Sequence, residues 1–314
     1  MQQRHLGSTG LKVSRLGLGT LTWGTDTDAD DAQQQLRSFV DAGGTLLDTA
    51  ASYGAGESES LVGSLLDNAV SRDDVVLATK AGISRSRGAR VVDVSRGALL
   101  RSLDRSLERL GVDYVDLWQV HVWADDVPLE ETLTAVDAAV TSGRARYVGI
   151  SNYSGWQTAQ AAMHQLAQPG RVRLSSTQVE YSLLQRGIER EVAPACEALG
   201  LGILPWSPLG RGVLTGKYRS GIPSDSRAAS PTFERYVAEP LTPAAAQIVE
   251  AVCRAAEGLE LSPAQVALAW VRDQPGVTAP IVGARTATQL DEILPVEQVT
   301  LPDEIAEALE DVSA

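Results

Sequence analysis

Eight short apolar runs, separated by stretches of helical periodicity, set the tightest limit on how these 314 residues can fold. The runs lie at 16–19, 45–48, 75–80, 115–120, 145–150, 174–179, 201–205 and 278–282. Each is short for a buried helix, and continuous apolar character without alternation is what a strand shows when both of its faces are covered. Helical patterns fill the intervals at 28–41, 58–68, 95–110, 129–141, 154–166 and 189–199. Further ones lie at 243–257 and 263–271 before the last run, and at 286–294 and 302–312 after it. In the first of them Leu36, Phe39 and Val40 recur at helical spacing, and Gly43-Gly44 stops the pattern. Asp28, Asp30 and Asp31 crowd its first turn, where the helix dipole favours negative charge.

Strand followed by helix, repeated in this way, predicts an α/β fold, a closed (β/α)8 TIM barrel of parallel strands. An open doubly wound sheet is the competing arrangement, and it binds dinucleotides through a Gly-rich turn between strand and helix. The nearest approach here, Gly210-Arg211-Gly212-Val213-Leu214-Thr215-Gly216, has the wrong final spacing and no helical pattern directly after it, so the barrel is the better reading. Gly10-Leu11-Lys12-Val13-Ser14 reads as a turn and strand, paired with residues 2–6 in a short N-terminal hairpin. Hydrophobic residues make up 44% of the chain, enough for one large core, so residues 1–314 are expected to form a single domain. The segment 206–240, rich in Gly, Pro, Ser and Arg, breaks the alternation. Within it, 219–240 is expected to be mobile until a ligand binds and to shape the pocket.

A formal charge of −13 argues against nucleic acid or an anionic membrane as partner, while leaving room for a small anionic ligand wherever basic residues gather. Cys196 and Cys253 sit in apolar helical surroundings, where free cysteine acts as a small hydrophobe, so no disulfide is expected. No apolar signal region follows Met1-Gln2-Gln3-Arg4-His5, and nowhere do about 18 apolar residues run together, so a soluble, cytoplasmic protein is expected. No heptad stretch marks a partner surface, which leaves a monomer as the default, and no metal site is expected.

Parallel barrels carry their chemistry at the carboxyl ends of the strands. Asp48, Lys80, His121, Ser151, Asn152, Gln178 and Arg285 all stand there, and Tyr53 follows Asp48 by five residues. Singly each has a plain structural explanation: a helix cap, a surface charge, a hydrogen-bonded core histidine, a half-buried aromatic. An acid, a base, a phenol and an imidazole at successive strand ends of one barrel have few structural reasons to converge, and together they suit proton donation to a carbonyl. A phenol titrates near 10 and gives up its proton near neutrality only when a neighbouring cation lowers that value. Lys80 is the expected cation, oriented and kept charged by Asp48, and a neutral His121 would orient the carbonyl oxygen. A competing role for Lys80 is Schiff-base formation, which needs an uncharged amine. Trp23 and Trp123 are expected to wall the substrate pocket beside Tyr53 and His121, with Trp156 a weaker candidate, while His5 and His164 receive no role.

The chain resembles the aldo-keto reductase superfamily over nearly its whole length. Leu6-Gly7-Ser8-Thr9-Gly10-Leu11-Lys12-Val13-Ser14, Leu47-Asp48-Thr49-Ala50 with Tyr53, Ala78-Thr79-Lys80, Asp116-Leu117 with His121, and Gly149-Ile150-Ser151-Asn152 are similar to the family's motifs, in the family's order. The resemblance implies a tetrad of Asp48, Tyr53, Lys80 and His121, with Tyr53 the general acid and NADPH the hydride source for an aldehyde or ketone. It further implies that Ser151, Asn152 and Gln178 hold the nicotinamide carboxamide. Trp206-Ser207-Pro208-Leu209-Gly210 would stack on the ring and bind the pyrophosphate, and Lys217 and Arg227 would close over the cofactor. Thr20, Leu21 and Gly212 complete that set. Gly283-Ala284-Arg285, Gln289 and Glu292 resemble the terminal cofactor motif, where a forked guanidinium meets the 2′-phosphate and so favours NADPH over NADH. The motif often continues with asparagine, and here the residue is Ile293. The stretch 205–227 also resembles the β subunits of voltage-gated potassium channels, which bind cofactor in a regulatory role. Those subunits typically carry asparagine where His121 stands and Ser-Arg where Ser151-Asn152 stands, so the enzymes are the nearer match, and a cofactor-bound sensor with little turnover is the alternative.

Overall fold

The structure is a computed structural model that describes every residue except 87, 88, 225, 231 and 232, with the side chains of 85 and 86 also outside it. The chain begins with an antiparallel hairpin of β1 (Gln3–His5) and β2 (Lys12–Ser14). Leu6 and Val13 of this hairpin are fully buried, in one cluster with Leu46, Ala78, Leu117 and Leu204 from four different barrel strands. The hairpin therefore plugs the end of the barrel at which those strands begin.

The barrel strands are β3 (Gly17–Gly19), β4 (Leu46–Asp48), β5 (Val76–Ala81), β8 (Val115–Val120), β9 (Ala145–Ser151), β10 (Leu174–Glu180), β11 (Gly202–Trp206) and β12 (Ile281–Val282). All pair in parallel, in the order β11-β10-β9-β8-β5-β4-β3-β12. The remaining gap between β11 and β12 is spanned by the Ile203 N–H on Gly276 O, at 3.1 Å, and the Thr278 N–H on Ile203 O, at 2.8 Å. The eighth strand was expected at 278–282 but joins the ladder only over its last two residues, because Pro280 has no N–H to donate. A second antiparallel hairpin, β6 (Ile83–Ser86) with β7 (Ala89–Val92), follows β5. Nothing in the apolar pattern predicts it.

Helices α1 (Ala29–Asp41), α2 (Glu57–Leu65), α3 (Arg96–Leu110), α4 (Leu129–Thr141), α5 (Gly155–Ala167) and α6 (Val192–Leu199) follow strands in turn. After them come α7 (Glu234–Ala238), α8 (Pro243–Gly258), α9 (Pro263–Arg272), α10 (Ala287–Ile293) and α11 (Asp303–Ser313). Their starts are chemically marked. Asp28 accepts from the Asp31 N–H, and Ser154 with Gln157 and Ser262 with Gln265 form reciprocal capping boxes. The helix expected from residue 189 starts instead at Val192, after a separate turn at Gly187–Glu189. Between α2 and α3 the backbones approach so closely that a Cβ on Gly63 would stand 2.5 Å from the Arg109 carbonyl. Among the described residues no helix is long and apolar enough to cross a membrane, and both cysteines are free thiols.

Candidate active site

The carboxyl ends of β4, β5, β8 and β10 bring Asp48, Lys80, His121 and Gln178 together, with Tyr53 carried on the turn after β4. Register places Asp48 beside Ala78, two residues before Lys80, so the two side chains meet inside the barrel mouth. Lys80 Nζ donates to Asp48 Oδ2 at 2.6 Å and to the Thr49 carbonyl at 2.8 Å, while Gln178 Nε2 donates to Asp48 Oδ1 at 2.9 Å. Both members of this ion pair are buried. Burial lowers the pKa of Lys80, and the Asp48 carboxylate opposes that shift.

The turn that presents Tyr53 runs through Gly54 at φ 55°, Ala55 at φ 57° and Gly56 at φ 106°. Glycine tolerates this left-handed run, whereas Ala55 is strained by it. The turn is pinned from below by the buried Ser58 hydroxyl, which donates to Thr20 O at 2.8 Å and lies 2.8 Å from Thr20 Oγ1 and 3.1 Å from Thr49 Oγ1. Tyr53 packs edge-on to the His121 ring, centroids 6.1 Å apart, and Lys80 Nζ lies 5.1 Å from its ring centroid. The phenol's pKa is raised well above its ordinary value, first by burial and then by the charge of Asp48 and by Tyr236. This reverses the expectation that Lys80 lowers it. Asp48 cancels most of the lysine's charge at contact distance, and desolvation then decides the direction. His121 behaves as expected of a neutral imidazole: burial, helped by the charges of Lys80 and Arg90, pushes it down to about 3. Its Nδ1 is buried with no hydrogen-bond partner among the described residues.

A cavity of about 550 Å³ opens over Asp48, Tyr53 and His121. Ser151, Asn152 and Gln178 line its inner part beside Leu21. Asn152, at φ 58°, donates through Nδ2 to the His121 carbonyl at 3.0 Å and accepts from Trp206 Nε1 at 2.9 Å, which fixes the indole on the wall. Trp206, Ser207, Pro208, Leu209 and Gly212 continue the wall, followed by Lys217 and Arg227. Gly283, Arg285, Gln289 and Glu292 complete it, with Ile293 beside them. Arg227 is half-buried, and its pKa is lowered first by desolvation, with Arg285 adding like charge. The Arg285 N–H is held by Gln289 Oε1 at 3.0 Å.

Six sequence candidates are not on this wall, Trp156 among them. Lys80 lies beneath it, where its amine is hydrogen-bonded and shielded, an arrangement that disfavours attack on a substrate carbonyl. Thr20 is fully buried under the Tyr53 turn, and Gly210, at φ 55°, makes the turn against Leu184 and presents no surface. Trp23 is core: its indole is 0% exposed and donates to Gln35 Oε1 at 3.2 Å, so it walls no pocket. Trp123 stands outside the cavity, in edge contact with Tyr153 and Trp156 at 5.2 and 5.3 Å and donating to Asp125. An aromatic just past a strand end reads alike whether it turns into the core or over the mouth.

Tyr236 and Arg211 are among the wall residues that escape a sequence reading. Tyr236, on the five-residue α7, shares a 2.7 Å hydrogen bond with Ser207, and Arg211 lies 4.3 Å from its ring centroid while pairing with Glu180 and Glu239. A helix that short leaves no periodicity to detect. Of the segment expected to shape the pocket, 219–240, residues 225, 231 and 232 lie outside the described residues, but Arg227 and Tyr236 do line it.

The profile of the Aldo/keto reductase family matches residues 15–314. An uncharacterised oxidoreductase of Bacillus subtilis is 36% identical, covering 99% of this chain and 96% of its own length. The L-glyceraldehyde 3-phosphate reductase of Escherichia coli is 36% identical over 93% of this chain and 86% of its own. A probable voltage-gated potassium channel subunit beta of Oryza sativa is 35% identical over 93% and 90%. With the family profile matched from the third strand to the last residue, this chain belongs to the aldo/keto reductase family.

Proposed function

We propose that this protein reduces an aldehyde or ketone to the alcohol with NADPH, Tyr53 giving the proton. The observation that carries the reading is the buried Lys80–Asp48 pair beneath the Tyr53 phenol and a neutral His121, at the inner end of a cavity whose other end is cationic. The donor set suits the nucleotide. Ser151, Asn152 and Gln178 offer amide and hydroxyl groups beside Tyr53, and Arg227 and Arg285 offer the forked donors a 2′-phosphate takes. Bound NADPH supplies the hydride. The chain's own groups do the rest: burial keeps Tyr53 protonated until the carbonyl oxygen gains charge and takes its proton, and Lys80 steadies the phenolate left behind. A ring N–H of His121 orients the carbonyl oxygen. The Schiff-base alternative fits less well, because the Lys80 amine is engaged by Asp48 and Thr49.

On this reading the protein is a one-domain cytoplasmic enzyme. The test is a panel of aldehydes, ketones and quinones with NADPH and, in parallel, NADH. Oxidation of NADPH by members of the panel supports the reading. Tight NADPH binding without oxidation by any of them points instead to a cofactor-bound regulatory subunit, a reading favoured by the 35% identity to the rice channel subunit.

A further inference from the structure

The proposed reaction leaves one buried ion pair without a duty. Glu59, in the first turn of α2, is fully buried, and its carboxylate is shared between two other elements. Oε1 accepts from the Thr79 hydroxyl at 2.5 Å, and Oε2 accepts from Arg109 Nε at 2.8 Å and from its Nη2 at 2.5 Å. Thr79 is the residue before Lys80 on β5, and since neighbours on a strand face opposite ways, it looks toward the helices while Lys80 looks into the barrel. Arg109 stands in the last turn of α3. Its guanidinium also covers Gly56, where a Cβ would stand 2.9 Å from Cδ, 3.0 Å from Nε and 3.2 Å from Cζ.

Gly56 closes the left-handed run that presents Tyr53. The turn is anchored on β5 at its start, because the Ala51 N–H donates to the Lys80 carbonyl at 3.1 Å. It is thus tied to the Lys80 strand at both ends, directly through Ala51 and indirectly through Gly56, Arg109, Glu59 and Thr79. A backbone strained at Ala55 keeps its shape only where its surroundings over-determine it. As a means of joining α2 to α3 an ion pair is costly, since well-packed apolar residues of similar volume serve stability as well. What a forked guanidinium adds is direction, fixing the plane as well as the position of the carboxylate.

We propose that Arg109 and Glu59 are positioning residues for proton transfer, holding the Tyr53 turn at a fixed reach from Lys80 through Thr79. This inference rests on the reductase reading and extends it to residues behind the site, since neither Arg109, Glu59 nor Thr79 lines the cavity. The charge of Glu59 acts in the same sense, joining Asp48 in keeping Lys80 protonated against its burial.

The experiment follows single-turnover oxidation of bound NADPH by the fastest carbonyl compound of the panel, alongside NADPH affinity and the urea midpoint. Thr79→Val is nearly isosteric and cuts only the link from Glu59 to β5. It should stay folded and bind NADPH within about threefold of wild type, while the single turnover slows by about three- to tenfold. Thr79→Ser restores the hydroxyl and should return the rate to within about twofold. Arg109→Ala should slow the step by about 10- to 100-fold, the loss that a misplacement of about 1 Å can bring. Because the Arg109 side chain is 26% exposed, added guanidinium at non-denaturing concentration should reach the gap and restore part of the rate. Wild-type rates in folded Thr79→Val and Arg109→Ala, or losses that merely follow NADPH affinity or the folded fraction, would overturn the positioning role alone. A wild type that reduces no member of the panel would overturn the reductase reading and this inference with it.

Discussion

At the inner end of the cavity a buried ion pair sits beneath neutral groups, and the outer wall is rich in cationic side chains. Lys80 and Asp48 meet at 2.6 Å with both side chains buried, and the two reacting groups above them, phenol and imidazole, are held neutral by desolvation. On the outer wall Lys217, Arg227 and Arg285 line the cavity together with Glu292. The inner groups hang from strand ends that the parallel ladder fixes, whereas most of the outer ones hang from the segment after β11 and the start of α10. The difference matches two tasks. A neutral carbonyl needs a rigid, compensated site in which a proton can move, while a polyanionic cofactor needs cations that attract it and hold it.

Removing one partner from the compensated end should do the most damage. Lys80→Met leaves Asp48 buried with only Gln178 to serve it, so stability should fall by about 3–5 kcal/mol and turnover should be lost. Urea denaturation together with single-turnover NADPH oxidation measures both. At the cationic end the loss should be confined to binding. Arg285→Ala should weaken NADPH by about 10- to 100-fold and leave NADH nearly unchanged. Equal loss for both nucleotides would break the assignment of Arg285 to a 2′-phosphate.

Desolvation at the inner end also has a signature in pH. His121 is held down to about 3, against an ordinary value of 6.5, so below that ordinary value the unfolded chain takes a proton that the folded chain refuses. The stability tied to neutral His121 is therefore complete above about pH 6.5 and is lost as the pH falls toward 3, at up to about 1.4 kcal/mol per pH unit. His121→Asn should flatten stability against pH over that window relative to wild type, as read from urea midpoints between pH 7 and 5. The smallest expected effect lies at the outer end. Tyr236→Phe removes one hydrogen bond to Ser207, so NADPH affinity should change by no more than about tenfold, with kcat preserved.

The same contrast explains what could be read from the residues alone. The runs at 115–120 and the pattern at 129–141 coincide with β8 and α4 because uninterrupted apolar strands and amphipathic helices leave a strong periodic mark. The inner groups stood out for the same reason, each ending or following such a run. Direction was legible only in part: Trp23 and Trp123 follow strand ends equally, but only the contacts show the first turned into the core. The pKa of Tyr53 went opposite to expectation because the compensation of Lys80 by Asp48, and the depth of burial, are properties of the assembled site. Tyr236 sits on an element too short for periodicity to reveal, α7.

The claim that the compensated end exists to move a proton from Tyr53 is tested most directly by Tyr53→Phe, which removes one hydroxyl and leaves the ring against His121. Single-turnover oxidation of bound NADPH should slow by about 100- to 10,000-fold, while the NADPH dissociation constant stays within about threefold of wild type. An unchanged single-turnover rate, with cofactor bound normally, would contradict the account.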